Sequence, residues 1–290
     1  MYVGVLAQTL VNGLFAGGVL ALVSIGLTMI YGVMIIINFA HGEFVMLGMY
    51  LSYWAFVLGG VDPYLSVFMT AIIMFAFGAL VQRLLVQRVM AAHILNQIVL
   101  LLGLSILLVG LAQFFWMPVP RTLQLPYATA GVEVAGLILN IPRGVAFLAS
   151  LVIASALYVF LQRTRVGKSI RACAESREAA QLVGINVKRV YMLTFGIGAA
   201  VTGVAGALLA PSYPITPTVG ATWSVIAFVV VVLGTMGNFM GAFLGGLLIG
   251  VAEAFGGLLL GGDVKEVVSM LIFILVLLLK PQGLFGKADS

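Results

Sequence analysis

Charge is what this 290-residue chain has least of: 8% of its residues are charged, against 63% apolar. Soluble domains carry about 25% charged residues, so too few polar groups are present to clothe a water-facing surface. A mean hydropathy of +1.22 points the same way. The expected class is all-α, a polytopic integral membrane protein read as one domain over 1–290. Its apolar stretches are continuous, which counts against a transmembrane barrel, whose strands alternate. Cysteine is nearly absent as well. The single Cys173 excludes an intramolecular disulfide and suits a reducing compartment. Two histidines, His41 and His93, lie too far apart in sequence to suggest a zinc set. Neither H-E-x-x-H nor G-x-S-x-G occurs, so no metal, no cofactor and no catalytic role are expected. No Lys or Arg precedes Arg83, which argues against a basic signal-peptide region and keeps the first helix in the mature protein.

The few charges are unevenly placed. Arg163, Arg165, Lys168, Arg171, Arg177, Lys188 and Arg189 crowd one segment with Glu175 and Glu178, giving it the whole net charge of +5. Basic excess in a loop marks the cytoplasmic side. Loop 163–189 is therefore expected inside, and a nucleic-acid role is set aside.

Read as one helix, the first 42 residues would extend about 63 Å, roughly twice the hydrocarbon thickness. A break is expected around Asn38–Glu43, between helices over about 9–31 and 43–59. Asp62-Pro63 marks a turn, and spans over about 63–82 and 94–116 follow around a basic connection containing Arg83, Arg88 and His93. Four of nine prolines lie within 117–142, which reads as an ordered external loop. Spans over 143–161 and 190–210 flank the basic loop. The stretch 222–262 is too long for one crossing and should break at its glycines, 234, 237, 241, 245 and 246; a last span covers 267–279. Nine spans result, with eight to ten allowed, an outer amino terminus, and Lys280 and Lys287 inside.

Gly167-Lys168-Ser169 has the tail of a phosphate-binding loop, but Gln162 stands where that pattern needs glycine, so no nucleotide site is expected. Glycines spaced by four, such as Gly13/Gly17 and Gly237/Gly241/Gly245, read as close helix packing in lipid. Asn38-Phe39 and Asn238-Phe239 both fall at breaks, a symmetry within reach of chance. Ala172–Gly184 reads as one short helix ended by glycine. Glu175, Glu178, Ala179 and Leu182 would share a face, either solvated or seated in another protein.

Glu178-Ala179-Ala180-Gln181-Leu182-Val183-Gly184 resembles the E-A-A-x-x-x-G loop of ABC importer permeases, the segment that fits a groove on the ATPase subunit. The flanking Arg171-Ala172 and Ile185-Asn186, the run Asn38–Gly48, and Lys280–Gly286 resemble the LivH-type branched-chain amino acid permeases more narrowly. The isoleucine–leucine–proline tail of the wider motif is absent after Gly184. The resemblance implies a coupling role for Glu175, Glu178, Ala179, Ala180 and Gly184. It also implies four kinds of company: a second, LivM-like permease, two ATPases, a periplasmic substrate-binding protein and membrane lipid. The implied location is the bacterial inner membrane.

Carboxylates are costly in lipid, so Glu43 and Glu253 should face a cavity or a partner. With Asn38, His41 and Asn238 they form the candidate translocation path, unless the first group only pins a helix break. An ion-gradient-driven carrier or channel is the competing function; scarce membrane carboxylates and the basic loop weigh against it. Branched-chain amino acids, urea, amides and aromatic acids stay open as substrates.

Overall fold

The computed structural model describes residues 2–128, 130–134, 136–262, 265–280 and 282–286; Pro281 and Lys287 lie outside them. Among the described residues, seven helices are long and apolar enough to cross a membrane: 3–34, 41–59, 63–89, 94–116, 141–163, 187–209 and 239–260. Two shorter apolar helices, over 219–233 and 267–279, overlap the stretches where the sequence placed its remaining spans.

Helix α1 (Tyr2–Met34) has no charged residue to end it and continues for 33 residues, about 50 Å. It stops where Ile35 takes a φ of 55°, a conformation that a β-branched residue adopts only under local constraint. Asn38 then starts the next helix, its Oδ1 accepting the Ala40 amide at 3.1 Å. Helix α2 (His41–Gly59) ends on Gly60 in the left-handed region. Asp62 caps α3 (Pro63–Val81), with proline at its first position.

The chain does not leave the helix at Gln82. A π-helical turn, Gln82–Val86, carries it into α4 (Gln87–Val89), so the basic connection starts later than expected. His93 caps α5 (Ile94–Trp116). The proline-rich segment contains a hairpin, β1 (Gly131–Val134) against antiparallel β2 (Leu137–Asn140), which no turn signal announced. Arg121 pairs backbone to backbone with Ile215, tying this segment to the other proline-rich loop.

Asn140 caps α6 (Ile141–Arg163); α7 (Arg165–Glu175) and α8 (Arg177–Leu182) form the basic segment. Asn186 caps α9 (Val187–Leu209). Helix α10 (Val219–Leu233), α11 (Phe239–Leu260) and α12 (Lys265–Leu279) finish the bundle. The break between α10 and α11 falls at Gly234–Asn238, while Gly241, Gly245 and Gly246 continue inside α11. Helices α1 and α9 lie at the centre: α1 packs on α11, α9 and α6, and α9 on α3 and α2.

The contacts are backbone-close. A Cβ on Gly48 would overlap the Gly203 backbone, and one on Gly42 would overlap the Gly220 carbonyl. Lipid tails offer no hydrophobic drive between helices, so this proximity supplies the packing contacts instead.

Candidate functional site

The polar residues fall at three depths. The middle group is built on the first turn of α2. His41 is fully buried, and its Nε2 donates to the Val23 carbonyl of α1 at 2.9 Å. The Thr202 hydroxyl of α9 lies 3.3 Å from the same nitrogen. Ala40 at the N-cap has no side-chain acceptor, and α10 supplies one: Ser224 Oγ accepts the Gly42 amide at 2.8 Å. Glu43 is 3% exposed, beside Ser105 of α5. Three buried polar atoms here have no partner among the described residues: Asn38 Nδ2, His41 Nδ1 and Glu43 Oε2. Asn38, His41 and Glu43 therefore lie together, level with the middle of α1 and α9.

The other two path candidates are elsewhere. Asn238 caps α11, accepting the Gly241 amide at 3.0 Å, beside Gly237 where that turn meets Gly32 of α1. Glu253 lines a cavity of about 150 Å³ near the opposite end of the bundle. There it accepts the Ser269 hydroxyl of α12 at 2.8 Å. The five candidates thus do not form one site. Ser224, Thr202 and Ser269 were not singled out from the sequence. Each is a hydroxyl within an apolar run, and only a distant contact reveals its use.

The basic segment departs from the expected single helix over Ala172–Gly184. Ser176 is extended (φ −154°) and its hydroxyl accepts the Ala179 amide, so the chain ends α7 and restarts as α8. Glu175 closes α7 and no longer shares a helical face with Glu178, Ala179 and Leu182. Ala180 is buried and Ala179 exposed. Gly184, at φ +82°, turns the chain so that Ile185 N–H reaches the Ala180 carbonyl at 3.0 Å. The closure presents two apolar side chains to the outside: Leu182 is 88% and Val183 76% exposed. Cys173 is buried on the inner face of α7, and burial pushes its thiol above the usual range.

No group of three or more His, Cys, Asp or Glu residues that could hold a metal occurs among the described residues.

Comparison with known proteins agrees with this architecture. Residues 9–277 match the family model described as "Branched-chain amino acid transport system / permease component". The high-affinity branched-chain amino acid transport system permease protein BraD of Pseudomonas aeruginosa is 36% identical, over 97% of this chain and 96% of that protein. LivH of Salmonella typhimurium, named likewise as a high-affinity permease protein, is 37% identical over 97% and 96%. A probable LivH of Methanocaldococcus jannaschii is 29% identical over 92% and 88%. With matches of this extent, the chain belongs to the family of branched-chain amino acid transport system permease components.

Proposed function

We propose that the chain is the non-catalytic translocation subunit of an ATP-driven importer, passing branched-chain amino acids across the bacterial inner membrane. A soluble periplasmic protein would deliver the substrate. A LivM-like permease would complete the pathway, and two ATPases would supply the work. The basic segment 163–189 and the C-terminus would face the cytoplasm, following the charge asymmetry. The related proteins' names give the substrate class, and the chain's lack of a nucleotide-binding loop leaves the energy source to a partner.

The observation that carries this reading is the pair Leu182 and Val183. Both stand exposed on the basic segment, beyond the apolar spans. Apolar side chains held out by a capped helix and a glycine turn fit a protein groove better than water. Within this reading Glu178 and Ala179 flank the docking face, Ala180 anchors α8 to the bundle, Gly184 sets its angle, and Glu175 ends the supporting helix. Asn38, His41 and Glu43 belong to the middle of the path, Glu253 to its outer part and Asn238 to its inner end.

Co-expression with candidate ATPases tests the proposal. The ATPase pair should co-purify with this chain, and loaded binding protein should stimulate ATP hydrolysis and leucine uptake in vesicles. A chain that transports leucine with no ATPase present, driven by an ion gradient, would refute it.

A further inference from the structure

We infer that the cavity between the π turn and the start of α9 is a binding site for the headgroup of an anionic phospholipid. The inference depends on the chain lying in a membrane and is independent of what it transports.

An α-helix turns about 100° per residue, which sets residues five apart about 140° from each other around its axis. The π turn Gln82–Val86 closes one residue later, the Gln87 amide donating to the Gln82 carbonyl. The wider turn brings both side chains to one face, where Gln82 Nε2 donates to Gln87 Oε1 at 3.1 Å. The two residues line a cavity of about 410 Å³. π turns of this kind recur at functional sites. Asn186, Lys188 and Arg189, at the start of α9, form the opposite wall.

Three cations face this space: Arg83 from the π turn, and Lys188 and Arg189 from α9. No acidic side chain lines it among the described residues. Charges that only fix a topology need no common focus. Here two elements remote in sequence bring like charges to one cavity, an arrangement that repels itself until an anion enters. Asn186 Oδ1 accepts the Arg189 amide at 3.1 Å and so caps a helix of 23 residues, whose positive end adds to the same field. With its oxygen held by Gln82, Gln87 has its Nε2 left to donate.

The surroundings select what carries the anion. Arg83 stands just past α3, near the end of a stretch apolar enough to cross a membrane, which is headgroup level. Leu80 and Leu84, on either side of Arg83 in the chain, are exposed. A free phosphate would use the cations and leave these leucines uncovered, whereas a lipid uses both. Basic pockets between membrane helices bind anionic headgroups in this way. A cavity of about 150 Å³ holds benzene, so this one has room for a phosphate with a glycerol arm. A zwitterionic headgroup fits less well, because its ammonium finds no carboxylate among the lining residues.

Native mass spectrometry of the detergent-solubilised full chain, titrated with phosphatidylglycerol or phosphatidylcholine, tests the inference. The wild type should hold phosphatidylglycerol in preference. Arg83, Lys188 and Arg189 are exposed, so replacing them leaves the folded core intact. Arg83→Gln and Lys188→Gln should each weaken phosphatidylglycerol binding about fivefold, and the two together with Arg189→Gln about a hundredfold. Arg83→Lys keeps the charge and should keep most of the binding. Arg165→Gln removes the same charge from the exposed start of α7, outside the cavity, and should change nothing. Equal losses in Arg165→Gln and Arg83→Gln would reduce the effect to general attraction and overturn the site. Equal affinity of the wild type for the two lipids would overturn it too. Displacement of phosphatidylglycerol by an equal concentration of inorganic phosphate would assign the cavity to a free anion instead. Adding the ATPase pair should leave the bound lipid in place; its release would give the cavity to a protein contact and overturn the inference.

Discussion

Replacing Leu182 by serine tests the proposed docking face most directly. The side chain is 88% exposed, so almost nothing in this chain is lost by removing it. Whatever the substitution costs must come from a partner. Burying a leucine side chain contributes about 1.5–3 kcal/mol. At about 1.4 kcal/mol per factor of ten, an ATPase groove that closes over Leu182 should bind Leu182→Ser some 10- to 100-fold more weakly. The folded permease should be unaffected, because Ser176 still caps α8 and Ala180 and Gly184 still fix its ends. The assay is titration of purified ATPase onto detergent-solubilised permease, followed by ATP hydrolysis stimulated by loaded binding protein. Val183→Ser, 76% exposed, should weaken the same interaction, and both changes together should weaken it further. If Leu182→Ser binds ATPase with unchanged affinity, the exposed pair is not the docking face and α8 is a solvated cytoplasmic helix.

Gly42→Ala should destabilise the permease by about 1–3 kcal/mol, because the new Cβ overlaps the Gly220 carbonyl. Gly103→Ala in α5, where nothing stands within 4 Å, should be neutral or slightly stabilising; thermal unfolding in detergent compares the two. Tyr127 donates to Asp62, and burial together with that carboxylate holds its phenol above the ordinary tyrosine range. The raised value favours the neutral phenol in the folded state. Its contribution is therefore full below about pH 10 and is lost as pH rises through the folded value. Asp62→Asn should bring the phenolate absorbance transition back to lower pH. Cys173 is 3% exposed, so it should label poorly with impermeant thiol reagents from either side. Leu182→Cys in a Cys173→Ala background should label readily from the cytoplasmic side alone, and labelling in sealed cells from outside would reverse the topology.

Much of the architecture could be read from the chain because the deciding groups are local. Asn38 interrupts an apolar run and starts α2 through its own side chain, so the break is visible in a few residues. Prolines and Asp62 mark loop positions for the same reason. The failures involve either competition or distance. Ser176 sits among good helix formers, yet its hydroxyl satisfies the Ala179 amide and makes two helices cheaper than one. Gln82 looks like a helix end, but a π turn carries α3 into α4. Glu43 and Glu253 were legible as expensive residues. Their separation was not, since it depends on which helices pack around each.

The serine that caps α2 from α10 has a mechanical consequence. Ser224 and the Gly42 amide are 2.8 Å apart, and Gly220 rests on the backbone of Gly42 and Glu43. In hydrocarbon no water stands ready to take over an exposed amide. Sliding α10 along α2 would both jam the two glycines and strand the Gly42 N–H. The start of α10 and the start of α2 are thus riveted, one helix running toward each face of the bundle. A displacement applied to the loop before α10, which Arg121 also grips through Ile215, would travel as a lever stroke to the His41 turn rather than dissipate between sliding helices.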